Sequence, residues 1–127
     1  MNPAPEHHDE TPEPLDPQAL ARLRDLDPDG RQGVLMRVLD AFDTSLARMI
    51  TQLEAQREQG DPSVVGSVAH TLKSSSASVG ALTLARLCAE IELRIRGGGP
   101  TNLSHDVDRL VKAAAQAQRS VGAILRP

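Results

Sequence analysis

Residues 34–60 read VLMRVLDAFDTSLARMITQLEAQREQG. Leu35, Val38, Leu39, Phe42, Leu46, Met49, Ile50 and Leu53 form an apolar stripe along them. Spacing by threes and fours over about five turns is the pattern of an α-helix that buries one stripe. Gly60 supplies the stop, since glycine tolerates the left-handed conformation that closes a helix. A helix this long with one apolar face needs partners of its own kind, and the flanking sequence offers them.

Downstream, Asp61-Pro62 pairs a capping carboxylate with proline at the first helical position. The helix that follows carries Val65, Val68, Leu72 and Val79, which fall within about 60° of one another on a helical projection, and Gly80 interrupts or bends it. A fourth helix has Leu84, Leu87, Cys88, Ile91 and Ile95 on one face and stops at Gly97-Gly98-Gly99-Pro100. The last runs from about Ser104, expected as its N-cap, through Val107, Leu110, Val111, Ala114, Val121 and Leu125. Upstream, Asp16-Pro17 starts a short helix with Leu20 and Leu23 that ends at the Asp27-Pro28-Asp29-Gly30 turn. No segment shows sustained period-two alternation. The expected fold is therefore all-α: an antiparallel four-helix bundle over residues 15–127, with the short N-terminal helix as a lid or flank. Residues 1–14 hold four prolines and four acidic residues and are expected to form a disordered acidic, Pro-rich tail.

Composition narrows function. The chain has 127 residues, one Phe, and no Trp or Tyr, so its core is aliphatic, drawn from 16 Leu, 16 Ala, 9 Val and 4 Ile. Without flat side chains, stacking on single-stranded nucleic acid and aromatic-lined peptide grooves are excluded. A net charge of -3 removes the basic footprint that phosphate backbones require. One cysteine, Cys88, forms no internal disulfide and no thiolate zinc site. Neither a signal peptide nor an apolar run of about 20 residues is visible, and the expectation is a cytoplasmic monomer that binds neither membrane nor nucleic acid.

The functional signal lies opposite the apolar stripe of the third helix. With His70 at 0° and about 100° per residue, Lys73 falls at about 300°, Ser74 at about 40°, Ala77 at about 340°, Gly66 at about 320°, Ser67 at about 60° and Ser63 at about 20°. Around His70, every neighbour except Lys73 is Gly, Ala or Ser. Solvent-facing helix positions ordinarily fill with Glu, Lys, Arg and Gln. Choosing Gly66, Ser67, Ser74, Ser75, Ser76 and Ser78 gives up helix propensity and excludes bulk, which leaves the imidazole open to close approach by a partner protein. Imidazole, with a reference pKa of about 6.5, offers a free lone pair near neutral pH and attacks phosphorus without a dedicated base. Lys73, one turn on, supplies point-charge stabilisation of a phosphoryl group.

The stretch Ala69-His70-Thr71-Leu72-Lys73-Ser74-Ser75-Ser76-Ala77-Ser78-Val79-Gly80-Ala81 resembles the signature of histidine-containing phosphotransfer (Hpt) domains, His-x-Leu-Lys-Gly with a further glycine downstream. The Leu84, Leu87, Cys88, Ile91, Glu92 pattern is similar as well, and so is the upstream Leu-Asp-Pro opening followed by a long helix with Phe42. The resemblance spans roughly residues 15–125. It implies a phosphorelay intermediate: His70 accepts a phosphoryl group from the aspartyl phosphate of one receiver domain and passes it to another. Receivers of response regulators and hybrid histidine kinases are the implied partners. Lys73 falls on the family's phosphate-neighbouring lysine, Ser74 replaces its glycine, and Ser63, Gly66, Ser67 and Ala77 are expected to form the docking face. Mg²⁺ would come from the receiver, the module having no cofactor of its own. With no Gly-rich phosphate loop, neither ATP binding nor autophosphorylation is expected, and no carboxylate cluster is placed beside His70.

The remaining candidates take plainer roles. His105, beside Asp106 in the first turn of the last helix, is read as structural or solvated, and His7 and His8 as tail residues. Cys88 is read as a small core residue, the serines as spacers, and Asp40, Asp43 and Arg37 as a solvated polar face. A non-catalytic helical adaptor, docking a receiver or kinase without accepting phosphate, is the alternative that Ser74 keeps open. An enzyme acting on small phosphate esters lacks a visible second acid, base or metal set.

Overall fold

A computed structural model describes residues 13–98 and 102–127, and most of the acidic tail, with His7 and His8, lies outside them. All regular structure among the described residues is helical: α1 (Pro17–Asp25), α2 (Val34–Gln59), α3 (Pro62–Val79), α4 (Leu82–Arg96) and α5 (Leu103–Leu125). The helices α2 to α5 form the antiparallel four-helix bundle, with α3 packed mainly on α4 and α2 mainly on α5, while the short α1 flanks α2 and α3. No helix among them is long and apolar enough to cross a membrane.

Local chemistry sets the ends. Asp16 and Asp61 accept from the backbone N–H of Gln18 and Ser63, each ahead of a proline at the first helical position. Gly60 and Gly80 close α2 and α3 in the left-handed region, at φ 61° and 87°. α2 opens on Gly33, which has no side chain to cap with, and the Asp27 carboxylate does that work from the preceding turn by accepting from Gln32 N (3.1 Å) and Val34 N (3.2 Å). The cap of α5 is Asn102, which accepts from His105 N at 3.1 Å, and Ser104 lies inside the helix. Either residue type caps well; the helix begins two residues earlier than a Ser104 cap would start it.

The stripe of α2 that decides the fold is buried as its spacing requires. Leu39, Leu46 and Leu53 are fully covered, with Phe42 and Met49 beside them. They meet Val65 and Leu72 from α3, Leu84, Cys88 and Ile91 from α4, and Val107, Leu110, Ala114 and Val121 from α5. Cys88 is buried as a core residue, and burial pushes its thiol up to about 12, with the Glu92 charge adding to the effect. Two polar expectations change. Ser76 is not on the outer face but completely buried, its hydroxyl without a hydrogen-bond partner among the described residues. Asp43 is only partly solvated and faces Arg126 at 3.6 Å.

The hinge that fixes α3 against α4 is the Gly80–Ala81 turn. Asp16 N donates to Gly80 O at 2.9 Å, and a Cβ on Gly80 would lie 2.6 Å from Asp16 N. Glycine is required there both for its positive φ and for the closeness of the crossing strand of chain. The segment Glu13–Leu15 continues from that joint toward α4 and α5: Leu15 is buried, Ser120 Oγ donates to Glu13 O, and Thr83 Oγ1 to the Glu13 carboxylate.

Candidate functional site

His70 stands in the middle of α3 with 65% of its side chain exposed, on the face opposite Val65, Val68 and Leu72. Around it Ser63, Ser67, Ser74 and Ala77 are all exposed. Gly66 is smaller for another reason than the one its angular position indicates: a Cβ there would sit 3.3 Å from Ile95 Cγ2. Its missing side chain lets α4 approach α3, and that approach builds the rest of the site.

One turn before Ile95, α4 presents Glu92. Its carboxylate is almost wholly buried, with 8% of the side chain exposed, in the seam between the two helices. Oε2 lies 2.6 Å from His70 Nδ1, and Oε1 accepts from Lys73 Nζ at 2.7 Å. Arg96, one turn further along α4, donates to Oε2 from Nη2. The sequence placed no carboxylate cluster beside His70 and did not indicate this partner: a single carboxylate faces the ring from the neighbouring helix, 22 residues away.

The electrostatics assign the ring's proton. The Lys73 hydrogen bond, opposed by burial and reinforced by His70, holds the Glu92 carboxyl well below the usual range, at about 2. At neutral pH Glu92 is ionised and can only accept, so Nδ1 must be the donor. In the neutral ring, that places the lone pair on Nε2, the nitrogen pointing away from the seam. Lys73 does not stand free beyond the imidazole: its ammonium rests on Glu92, still 39% exposed. His70, Glu92, Gly66, Ser67, Ile95 and Arg96 together line a shallow open recess.

His105 contributes only its backbone to the Asn102 cap and stays exposed, far along the chain from this cluster. Its neighbour Asp106 is fully buried and paired with Arg94 at 2.8 Å. Asp40 and Arg37 are exposed on α2, where the Arg37 guanidinium donates to Gln32 O.

A scan against family models matches the Hpt domain over residues 37–120, a span that takes in His70, Lys73, Glu92 and Arg96. The chain belongs to the Hpt domain family. Its role is accordingly histidine phosphotransfer in two-component signalling, and as an Hpt domain it is a phosphoryl carrier in type and not a kinase. Among solved structures it is similar to histidine-containing phosphotransfer protein B (HptB) from Pseudomonas aeruginosa PAO1. The match has a TM-score of 0.74 and 24% identity, and it covers 88% of this chain and 94% of that one. At that identity the likeness speaks to the fold. No curated protein matches the sequence.

Proposed function

We propose that this Hpt domain is a phosphorelay intermediate in which His70 Nε2 accepts a phosphoryl group from a receiver-domain aspartyl phosphate and returns it to the aspartate of another receiver. The observation that carries this reading is the Glu92–Nδ1 hydrogen bond, which turns the nucleophilic nitrogen outward on a face of Ser63, Ser67, Ser74 and Ala77. Attack by the Nε2 lone pair forms the N–P bond while the P–O bond of the aspartyl phosphate breaks, and the receiver's carboxylate leaves with its electron pair. Lys73, one turn from His70 and still 39% exposed, supplies positive charge beside the incoming group, and Mg²⁺ held by the receiver would add further charge stabilisation. Ser74, exposed one residue past Lys73, keeps access open and adds a hydroxyl near the transferred group. No ATP step is assigned to the module.

The test mixes the protein with a receiver phosphorylated on aspartate and follows acid-labile, base-stable label. Wild type is expected to take the label and His70→Gln to take none. Label retained in His70→Gln would remove the assignment. Receiver binding that survives His70→Ala, with no label on wild type, would leave docking alone as the function.

A further inference from the structure

Glu92 does more than aim the ring. We infer that it holds the proton on His70 Nδ1 through the whole phosphoryl cycle, so that the phosphorylated ring is an imidazolium paired with a carboxylate and releases phosphoryl with neutral imidazole as leaving group. This rests on the proposed transfer to and from His70.

Proton bookkeeping leads there. In the neutral free ring the hydrogen is on Nδ1, toward Glu92, and the lone pair on Nε2. When Nε2 takes the phosphoryl group, no proton needs to leave, and the ring becomes a cation with Nδ1–H still on Glu92. In the return step, the N–P bond breaks and its electron pair goes back to Nε2, while a receiver carboxylate oxygen forms the new P–O bond. The leaving group is then neutral imidazole. Had Nδ1 lost its proton in the meantime, the leaving group would be imidazolate, a far stronger base and a far slower departure.

The surroundings of Glu92 make it suited to keep that proton. It is 2.6 Å from Nδ1 and nearly dry. From α3 it meets His70 and Lys73, and from its own helix Arg96 and the buried, protonated Cys88. Before phosphorylation, two cations, Lys73 and Arg96, balance its charge. Both are substantially exposed, at 39% and 66%, and both can turn toward a phosphoryl group on the outer nitrogen. Once they do, the imidazolium is the remaining positive group on the carboxylate, so arrival of phosphate tightens the Nδ1–H bond. A neutral amide of the same shape accepts that hydrogen bond but provides no charge to hold the cation.

The experiment compares wild type with Glu92→Gln. Each is phosphorylated on His70, and single-turnover transfer to one receiver is timed between about pH 6 and about pH 9. Any pH response of the receiver is common to both, so the ratio of the two rates reports the module. The wild-type rate relative to the variant should grow by about tenfold per pH unit once the variant's ring loses its proton. Superimposable profiles would overturn the inference while leaving the phosphorelay reading intact. Absence of label on wild-type His70 would overturn both. Should the variant not fold, ¹⁵N spectra of the phosphorylated wild-type ring decide the matter: Nδ1 protonated at about pH 9 supports the assignment, and Nδ1 bare at that pH refutes it.

Discussion

Glu92 shows how much one side chain can carry when its role is not visible in its own stretch of sequence. His70 was legible because its entire surroundings lie on one helix, where angular position follows from residue number, and a bare imidazole among Ser63, Ser67, Ser74 and Ala77 breaks the rule for solvent faces. Glu92 belongs to a different helix, and its meaning depends on how α4 is turned against α3. A signal did exist: counting outward from the Gly80–Ala81 turn brings residues near 91 level with His70. Choosing among them needs the azimuth of α4, which Gly66 and Ile95 set by packing. The same carboxylate predicts an acid response. Its folded value is about 2, against an ordinary 4.5, so the unfolded chain binds its proton first as pH falls. Glu92 thus contributes stability in full above about pH 4.5, and that contribution drains away as pH drops toward about 2. Urea midpoints of wild type and Glu92→Gln should be furthest apart near neutrality and converge in acid. A gap that stays constant across that range would mean that the ion pairs with Lys73 and Arg96 do not stabilise the fold.

At the scale of the helix, α3 reconciles two demands that its composition states only jointly. Its serines look alike in sequence, yet they do three things. Ser67 and Ser74 are exposed beside His70, Ser75 and Ser78 return their hydroxyls to carbonyls of the preceding turn, and Ser76 is sealed in the interior. Angular position separates Ser76 from the rest, lying about 120° from His70; what it does not reveal is that its hydroxyl has no hydrogen-bond partner among the described residues. An isolated buried hydroxyl costs free energy, and serine is also a weaker helix former than alanine. Ser76→Ala is therefore expected to raise stability by about 1 kcal/mol, seen as a higher denaturant midpoint with unchanged slope, and to leave labelling of His70 as it was. A destabilised variant would show that the hydroxyl has a partner after all. The caps follow similar logic. Asp16-Pro17 and Asp61-Pro62 announce their helices, because both residues act within two positions of themselves, whereas the cap of α2 comes from Asp27, seven residues before the Val34 N–H it satisfies.

For the molecule as a whole, the long helices followed from their stripes, but the joint that sets their register did not. The chain before α1 crosses the α3–α4 turn so closely that Gly80 has no room for a methyl group, with Asp16 N 2.6 Å from the would-be Cβ. Leu15 is buried next to this crossing, and Ser120 of α5 and Thr83 of α4 hold Glu13. One segment therefore ties α3, α4 and α5 together at the end of the bundle where the hairpin carrying His70 and Glu92 is closed. Leu15→Ala should cost about 2–5 kcal/mol as a large-to-small change in a packed site. Gly80→Ala should cost about 2 kcal/mol or more, since it combines a left-handed alanine with a clash against backbone. If the two act on one joint, the second substitution has less left to break. The double variant should then fall short of the sum by at least about 0.5 kcal/mol, whereas independent sites add to within that margin. Chemical denaturation of the four proteins measures this directly. Strict additivity would mean that Leu15 fills the core without fixing the turn, and the α3–α4 register that sets Glu92 against His70 would then rest on the packing between the two helices, the Gly66–Ile95 contact included.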